Sequence, residues 1–367
     1  MDSSSRYLNA EQPNKANHLW RYTPWKRVHP SGNVREIPDM GVPSLKLELL
    51  DGSEAPEGIE LIQGESIPPE TSNSDELTGS FLDASSELSK WTIRVDKKFY
   101  CDSPLVIDIQ VGEEASCCHI SLEIGDGAEL EIVTKVSGGS DWFGLLRTGR
   151  IGDGVILNDV VLGLIEEGTM LRADSISIGR DAQVRAGTVS SGSNRTKSDI
   201  RFSLGDQGGS VRVLGSILSA GSMHLDHHIE IDHDAPRTFS RLSWHSACGG
   251  DSRTIGTGML RVRDGSKGAD AAQIFHNLLL SEKAEADSIP ELEVMEHDVV
   301  GCGHGTANGP IDEEQMFYLQ ARGFDMKDAK SALIAAFLNS TLSEMGSEML
   351  HEWLVGVLTR QLEALEA

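Results

Sequence analysis

Short runs in which apolar residues occupy every second position fill the middle of the chain, from about residue 91 to residue 234. Residues 129–133, 175–178 and 210–214 are examples. Because neighbouring side chains of a β-strand point to opposite faces, a period of two predicts strands that each bury one face. This part of the chain is therefore predicted to be mainly β.

A short motif recurs through these strands at an almost constant spacing. Its copies are Ile124-Gly-Asp126, Ile151-Gly-Asp153, Ile178-Gly-Arg180 and Leu204-Gly-Asp206, spaced by 27, 27 and 26 residues. Such a period predicts a right-handed parallel β-helix (β-solenoid), in which each unit is one coil with an inward aliphatic residue and a glycine that permits the sharp turn. The 38 glycines and the aromatic content of 5% fit a narrow interior. An ordinary β-sandwich is the alternative.

The regions on either side of the strands have different patterns. Residues 1–90 are predicted to form an N-terminal helical or irregular region, in which the aromatic segment 18–25 packs as a short helix. Residues 51–89 hold ten acidic residues and no lysine or arginine, which predicts a mobile or loosely packed acidic linker. The β-helical core is predicted over 91–310 and a helical domain over 311–367.

Helix signals support that last assignment. Asp312 begins a capping box and Gly323 closes the first helix, while Asp325 caps a second. A third helix from Ser347 carries a continuous apolar face. That face could bind a partner protein, but packing on its own domain is the preferred interpretation.

Composition limits the classes of function. The formal charge is -25, from 57 acidic and 32 basic residues, and it would repel a phosphate backbone, which argues against nucleic-acid binding. No run approaches about 18 consecutive apolar residues, and the first residues lack a signal-peptide pattern, so we expect no membrane span and a cytoplasmic location. The five cysteines are an odd number and include no C-x-x-C pair, so we expect no disulfide framework.

The strongest candidate for chemistry is the sequence Cys302-Gly-His304-Gly305. In an extended segment, residues i and i+2 point to the same side, so the thiol and the imidazole can reach one ion together. A soft-metal site takes about four ligands. This pair is therefore half a site, and its other ligands come from elsewhere in the fold, from a partner, or from nothing at all.

A second polar cluster lies at residues 224–233. Strand alternation turns His227 and His233 inward, near the strand ends where hydrogen bonds are available, and turns His228, Glu230 and Asp232 outward. The outer row could hold a cation, but a solvated polar face is the preferred interpretation. No G-x-x-x-x-G-K-[ST] sequence is present, so we expect no nucleotide binding or ATP hydrolysis by this chain.

Several segments between about His233 and Phe337 together resemble the core of the SufB/SufD family of iron-sulfur cluster assembly proteins. In chain order they are Ser240-Arg241, Asp270-Ala-Ala-Gln273, His276-Asn-Leu-Leu-Leu280, Lys283-Ala-Glu-Ala-Asp287, Pro290-Glu-Leu-Glu293, Cys302-Gly-His304-Gly305 and Phe317-Tyr318-Leu-Gln-Ala-Arg322-Gly323. The early Trp20-Arg-Tyr-Thr-Pro24 and the Cys-x-His-Gly form are most similar to the SufD branch, because the SufB form carries Glu-His-Glu at the latter place.

The resemblance implies a non-enzymatic scaffold that works in a complex with a SufB-type subunit and a SufC-type ATPase docked on the C-terminal helices. It also implies that Cys302 and His304 lie at the interface between the two related subunits and bind iron or a transient iron-sulfur cluster there. The chain departs from the family pattern at Ser288-Ile289-Pro290, at Gly301 and at Thr306-Ala307. Two of these departures, at Ile289 and Gly301, replace a lysine of the family pattern, which changes the local electrostatics but neither ligand.

Two other functions are alternatives. In the first, the chain is a SufB-like scaffold that forms a homodimer, so that one protein fills both places. In the second, it is a stand-alone parallel β-helix enzyme acting on polysaccharide. The second is disfavoured because the repeat region is poor in aromatic residues and the chain lacks an export signal.

Overall fold

A computed structural model describes residues 2–69 and 77–366, with side chains as far as residue 363. The helices are α1 (Ser3–Asn9), α2 (Trp25–Val28), α3 (Leu77–Ser85), α4 (Glu313–Ala321), α5 (Met326–Leu342) and α6 (Glu348–Glu366), with one 3-10 turn at His18–Trp20. The first nine strands are β1 (Ser44–Leu49), β2 (Ile59–Gln63), β3 (Lys90–Val95), β4 (Leu105–Val111), β5 (Ser116–Ile124), β6 (Glu129–Gly138), β7 (Trp142–Ile151), β8 (Ile156–Ile165) and β9 (Thr169–Ile178). The other nine are β10 (Gln183–Ser190), β11 (Arg195–Leu204), β12 (Ser210–Ser219), β13 (His224–His233), β14 (Phe239–Cys248), β15 (Arg253–Val262), β16 (Asp270–Leu279), β17 (Glu285–Val294) and β18 (Gly301–Pro310).

The strands form two nine-stranded sheets. Sheet A runs in the order β17-β15-β13-β11-β9-β7-β5-β3-β2, and sheet B in the order β1-β4-β6-β8-β10-β12-β14-β16-β18. From β3 onward, consecutive strands alternate between the sheets, and all pairings are parallel except those of β1 with β4 and of β2 with β3. This is a parallel β-solenoid of about eight coils, which confirms the predicted fold class.

The recurring Ile-Gly-Asp motif lies where sheet A strands end and stacks directly from coil to coil. Asp126 Oδ1 accepts a hydrogen bond from the backbone N–H of Asp153 at 3.2 Å, and Asp153 Oδ1 accepts one from Arg180 N–H at 3.0 Å. A Cβ on Gly152 would lie 2.6 Å from Asp126 Oδ1. The glycine is therefore needed for the close approach of stacked turns, whereas the positive φ falls two residues later, at Gly154.

The lumen between the sheets is mainly aliphatic but contains a buried ion network. Arg147 donates to both carboxylate oxygens of Asp159, at 2.6 and 2.8 Å, and to Asp174 at 3.0 Å. Arg172 donates to Asp174 as well. All four side chains are at most 5% exposed, so each charge depends on its partners for compensation.

The N-terminal region packs on the outer face of sheet A. Its aromatic residues are buried with side chains of β5, β7 and β9; this cluster includes Tyr7, Trp20, Trp25, Phe81, Cys117, Trp142, Leu146 and Leu171. The predicted packing of the aromatic segment is confirmed. The predicted loosely packed linker is wrong over α3, where Phe81 and Leu82 are fully buried, and its residues 70–76 lie outside the described residues. Strands β1 and β2 were not anticipated.

The C-terminal helices α5 and α6 pack on the outer face of sheet B. The apolar face of α6 is buried there through Leu350, Leu354, Val357, Leu358 and Leu362. This face therefore packs on its own chain, as predicted. Asp312 and Asp325 cap α4 and α5 as predicted. Among the described residues, no helix is both long and apolar enough to cross a membrane.

Candidate functional site

The solenoid ends in a coil made of β17 and β18. Each is the last strand of its sheet, and across the described residues no further strand pairs with either one. Three apolar side chains next to this edge are exposed: Val300 at 74%, Met295 at 45% and Val294 at 41%. Unpaired backbone groups beside exposed apolar side chains are the features of an edge that can accept another chain.

Cys302 and His304 lie on β18, in this terminal coil. Cys302 is level with Ala271 and His304 with Gln273 on the neighbouring β16. Cys302 is half-buried and packs against the lumen core, whereas His304 is exposed. The spacing therefore acts as predicted, since both residues alternate toward the lumen face at its open end.

The thiol of Cys302 is protonated in the isolated chain at neutral pH. Burial raises its pKa, and the nearby carboxylate of Asp270 adds to that rise, while a hydrogen bond from the backbone of Ala271 opposes it. Asp270 itself is paired with Arg241 at 2.8 Å. Because position 301 is glycine, no side-chain cation precedes the thiol, and a metal ion or a partner's charge has to favour the thiolate.

Polar side chains fill the rest of the terminal coil. Gln273 Nε2 crosses the lumen to donate to the backbone carbonyl of Glu291 at 2.7 Å. Farther along, Asn277 Nδ2 donates to Ser288 Oγ at 2.7 Å and to Asn308 Oδ1 at 2.8 Å. These bonds order the coil beside Cys302 and His304.

The described residues contain no group of three or more His, Cys, Asp or Glu side chains that could hold a metal ion. Within the part of the chain that the structure describes, Cys302 and His304 thus stand as a thiol and an imidazole without a third such ligand. Thiolate and imidazole nitrogen are suitable ligands for iron and iron-sulfur species. The arrangement can bind such cargo only when water, sulfide or another subunit supplies the remaining positions.

The polar row of β13 is not a solvated face, so the earlier interpretation was wrong. Glu230 is 1% exposed and its carboxylate pairs with Arg261, with His228 Nε2 3.5 Å away. Although burial favours the neutral acid, the hydrogen bond from His228 and the charges of Arg201 and Arg261 hold the pKa of Glu230 well below its usual range. The arginines occupy the carboxylate, which leaves little capacity for a cation.

The two inward histidines of β13 differ from each other. His233 lies at the strand end and bonds to Thr238 Oγ1 and Ser240 Oγ, both at 2.8 Å, as expected. His227 is 1% exposed, and within the described structure neither of its ring nitrogens has a hydrogen-bond partner. Burial lowers the pKa of His227 to about 3 and that of His233 to about 4.

Stability is expected to fall as the pH drops from about 6.5 towards 4. The unfolded chain protonates its histidines near pH 6.5, whereas folded His227 stays neutral down to a pKa of about 3. The unfolded chain then binds more protons, so the free energy of unfolding decreases by about 1.4 kcal/mol per pH unit for each such histidine. Urea unfolding at pH 7.5, 6 and 5 measures the slope.

The variant His227→Leu isolates this contribution. It should reduce the slope by up to one proton, while His297→Leu, at an exposed position, should leave the slope unchanged. An identical slope in the His227→Leu protein would show that the buried ring does not titrate as its environment requires.

Sequence reasoning missed one exposed surface. The α4 surface consists of Phe317, Tyr318, Phe324 and Met326, which are 73%, 57%, 46% and 69% exposed. Helix α4 has no buried residue, although Met316-Phe317-Tyr318-Leu319 is as apolar as a core segment. The sequence does contain an indication of this exposure. Four consecutive apolar residues, 316–319, point in all directions around a helix, so packing of one helix face cannot bury all of them.

Comparisons with known proteins agree on one family. Residues 106–337 match the family model described as SUF system FeS cluster assembly, SufBD core domain. An iron-sulfur cluster assembly SufBD family protein of Mycobacterium leprae is 30% identical over 206 residues, covering 54% of this chain and 52% of that protein. A SufBD family protein of Mycobacterium tuberculosis is 28% identical over 259 residues, covering 68% of this chain and 64% of its own length.

A protein named SufD is also similar. The iron-sulfur cluster assembly protein SufD of Escherichia coli is 23% identical over 257 residues, covering 68% of this chain and 60% of that protein. The matched segments thus span between about half and two thirds of these relatives. The shared part includes the terminal coil with Cys302 and His304.

Proposed function

Because the chain belongs to the SufBD family of SUF-system iron-sulfur cluster assembly proteins, we propose that it is a SufD-type, non-enzymatic scaffold subunit. In this role Cys302 and His304 supply part of the ligand set for iron or a nascent cluster, and a second subunit supplies the rest. The observation that carries the proposal is the position of this thiol and imidazole in the last coil, where the thiol is half-buried and the imidazole is exposed and the described residues add no third such ligand. A cytoplasmic location goes with this role.

The second subunit is proposed to attach at the open end of the solenoid. The free edges of β17 and β18 can continue their hydrogen-bond ladders into strands of a related solenoid. Such pairing would bury Val300 and Met295 and bring the partner's residues beside Cys302. A SufB-type protein fits this place, and a second copy of this chain is the alternative.

A SufC-type ATPase is proposed to dock on the C-terminal helices. The α4 surface offers an aromatic contact of the type that dominates protein interfaces, and α4 joins the solenoid next to the terminal coil, since β18 ends at Pro310 and α4 begins at Glu313. Motion of the ATPase could therefore be transmitted to the strand that carries Cys302 and His304.

Gel filtration tests the assembly. We expect the chain mixed with a SufB-type protein and a SufC-type ATPase to elute as one stoichiometric complex. Elution as a homodimer that does not bind the SufB-type protein would favour the SufB-like alternative. A protein that stays monomeric with every partner and cleaves polysaccharide would overturn the proposal.

The variant Phe317→Ser is expected to weaken ATPase binding at least tenfold, a loss of about 1.4 kcal/mol or more, because an exposed aromatic side chain at the centre of an interface is a typical hot spot. Binding to the immobilised ATPase is measured by surface plasmon resonance. The control is Leu88→Ser, which removes a side chain that is 76% exposed in the N-terminal region. Equal affinities for both variants would exclude the α4 surface as the docking site.

A further inference from the structure

Two histidines face each other on the outer surface of sheet B, beneath α5. His245 on β14 and His276 on β16 occupy the same register position, and His276 Nδ1 lies 3.2 Å from His245 Nε2. The adjacent Trp244 points to the lumen and is buried there. The pair thus lies on the opposite surface of sheet B from the lumen-facing Cys302 and His304.

Helix α5 fixes the ring of His245. Its Nδ1 lies 3.1 Å from the backbone carbonyl oxygen of Phe337 and 2.9 Å from Ser340 Oγ, and the ring stacks on Phe337 with centroids 4.7 Å apart. Because a carbonyl only accepts, the proton is assigned to Nδ1, and Nε2 presents its lone pair to His276. Histidines that bind metals are commonly oriented in this way by a backbone carbonyl.

The protonation state of His245 agrees with this assignment. Burial lowers its pKa, the hydrogen bond to the Phe337 carbonyl partly opposes this, and the nearby His276 adds a further lowering. The ring is therefore neutral at physiological pH, with its lone pair available. His276 is only half-buried, which gives the pair a route to solvent.

We propose that His245 and His276 form a two-imidazole site for a borderline divalent cation of the Zn²⁺, Ni²⁺ or Cu²⁺ class. With metal–nitrogen distances of about 2.0–2.1 Å, the 3.2 Å between the two nitrogens corresponds to a nitrogen–metal–nitrogen angle of roughly 100–105°, close to tetrahedral. To bind, His276 moves its proton from Nδ1 to Nε2 and stays neutral. Water fills the other positions, because the described side chains provide no third His, Cys, Asp or Glu ligand.

A cation at this place would link two strands of sheet B directly and α5 indirectly. The site exists only when β14, β16 and α5 are folded together, since His245 is oriented by Phe337 and Ser340. Binding to the folded state alone stabilises that state by mass action. The cation would therefore hold the C-terminal helices more firmly on the solenoid.

Isothermal titration of the full-length chain tests the site. The protein carries Cys302→Ala and His304→Ala, is treated with a chelator, and is titrated separately with Zn²⁺, Ni²⁺ and Cu²⁺. We expect tighter binding of Cu²⁺ than of Ni²⁺. His276→Gln should lower the affinity at least about tenfold, whereas His351→Gln, which removes a half-buried histidine of α6, should leave it unchanged.

Paramagnetic resonance of the Cu²⁺-loaded protein gives a second measurement that needs no change to the histidine pair. The site is supported if two nitrogens couple to Cu²⁺ in the protein that retains both His245 and His276, and fewer couple in His276→Gln. Equal affinity in His276→Gln, or no nitrogen coupling in the parent, would reduce the pair to a hydrogen bond. Because the test protein lacks Cys302 and His304, such a failure would leave the proposed scaffold function untouched.

Discussion

Replacing Cys302 and His304 together by alanine is expected to abolish cluster accumulation on the assembled complex without preventing assembly. In the proposed site these two side chains supply the ligand atoms of the open coil, and their removal would leave the ligands of a second subunit without a complementary set. Visible absorption and iron content of the co-expressed, purified complex should fall at least about tenfold. Gel filtration of the same sample shows whether the subunits still associate.

The matched control is the double variant Cys101→Ala with His297→Ala. Cys101 is half-buried like Cys302, but it lies beside the first coils, where its N–H bonds to the Glu129 carbonyl. His297 is exposed. Cluster content equal to that of the unmodified complex is expected for this control. If the Cys302 and His304 variant retained its cluster, the interface-ligand role would be excluded; if it failed to assemble, its role would be in folding.

The variant Arg147→Met is expected to destabilise the solenoid by about 3–5 kcal/mol. Its guanidinium is 1% exposed and makes both hydrogen bonds to Asp159. Without it the Asp159 carboxylate remains buried and unpaired, while Asp174 keeps its bonds to Arg172. Urea unfolding followed by tryptophan fluorescence measures the loss as a lower midpoint.

Two further variants define the cause of that loss. Arg147→Met combined with Asp159→Leu should recover most of the stability, because an apolar pair of similar volume removes both buried charges. Arg180→Met breaks the pair with Asp153, whose side chains are 61% and 45% exposed, and should cost under about 1 kcal/mol. A midpoint for Arg147→Met equal to that for Arg180→Met would show that the lumen charges are solvated.

The solenoid could be predicted from the repeat because each coil needs the same residue types at its strand end and at its turn. Ile124 and Ile151 end equivalent strands and are both 3% exposed, and the glycine after each meets the turn of the previous coil. The exceptions to alternation could not be predicted. Arg147 faces a lumen that the pattern predicts to be apolar, and its partner Asp159 belongs to the opposite sheet, a proximity that only the closed coil creates.

Burial of the outer face of sheet A also depends on tertiary structure. Lys197 and Asp226 alternate outward and would be exposed on an uncovered sheet, yet each side chain is 2% exposed. The N-terminal segment covers them: Trp20 lies against Lys197, and Thr23 donates to Asp226 Oδ2 at 2.5 Å. Nothing in the local sequence of β11 or β13 indicates which distant segment lies on top.

The Cys302 and His304 site could be predicted from the sequence, whereas the His245 and His276 site could not. Cys302 and His304 are two residues apart, so strand geometry alone places them together. His245 and His276 are brought together by a coil of 31 residues, longer than the 27-residue spacing of the earlier repeats. Without the length of each coil, their shared register could not be derived.

The two ends of the solenoid are unlike, and this limits how large an assembly can grow. At the N-terminal end the sheets finish in the short antiparallel strands β1 and β2, where Lys46, Glu48 and Glu60 place charges along the border. Short charged border strands resist addition of further chains. Pairing at the β17 and β18 end alone, as proposed above, would give a closed pair and would disfavour head-to-tail filaments.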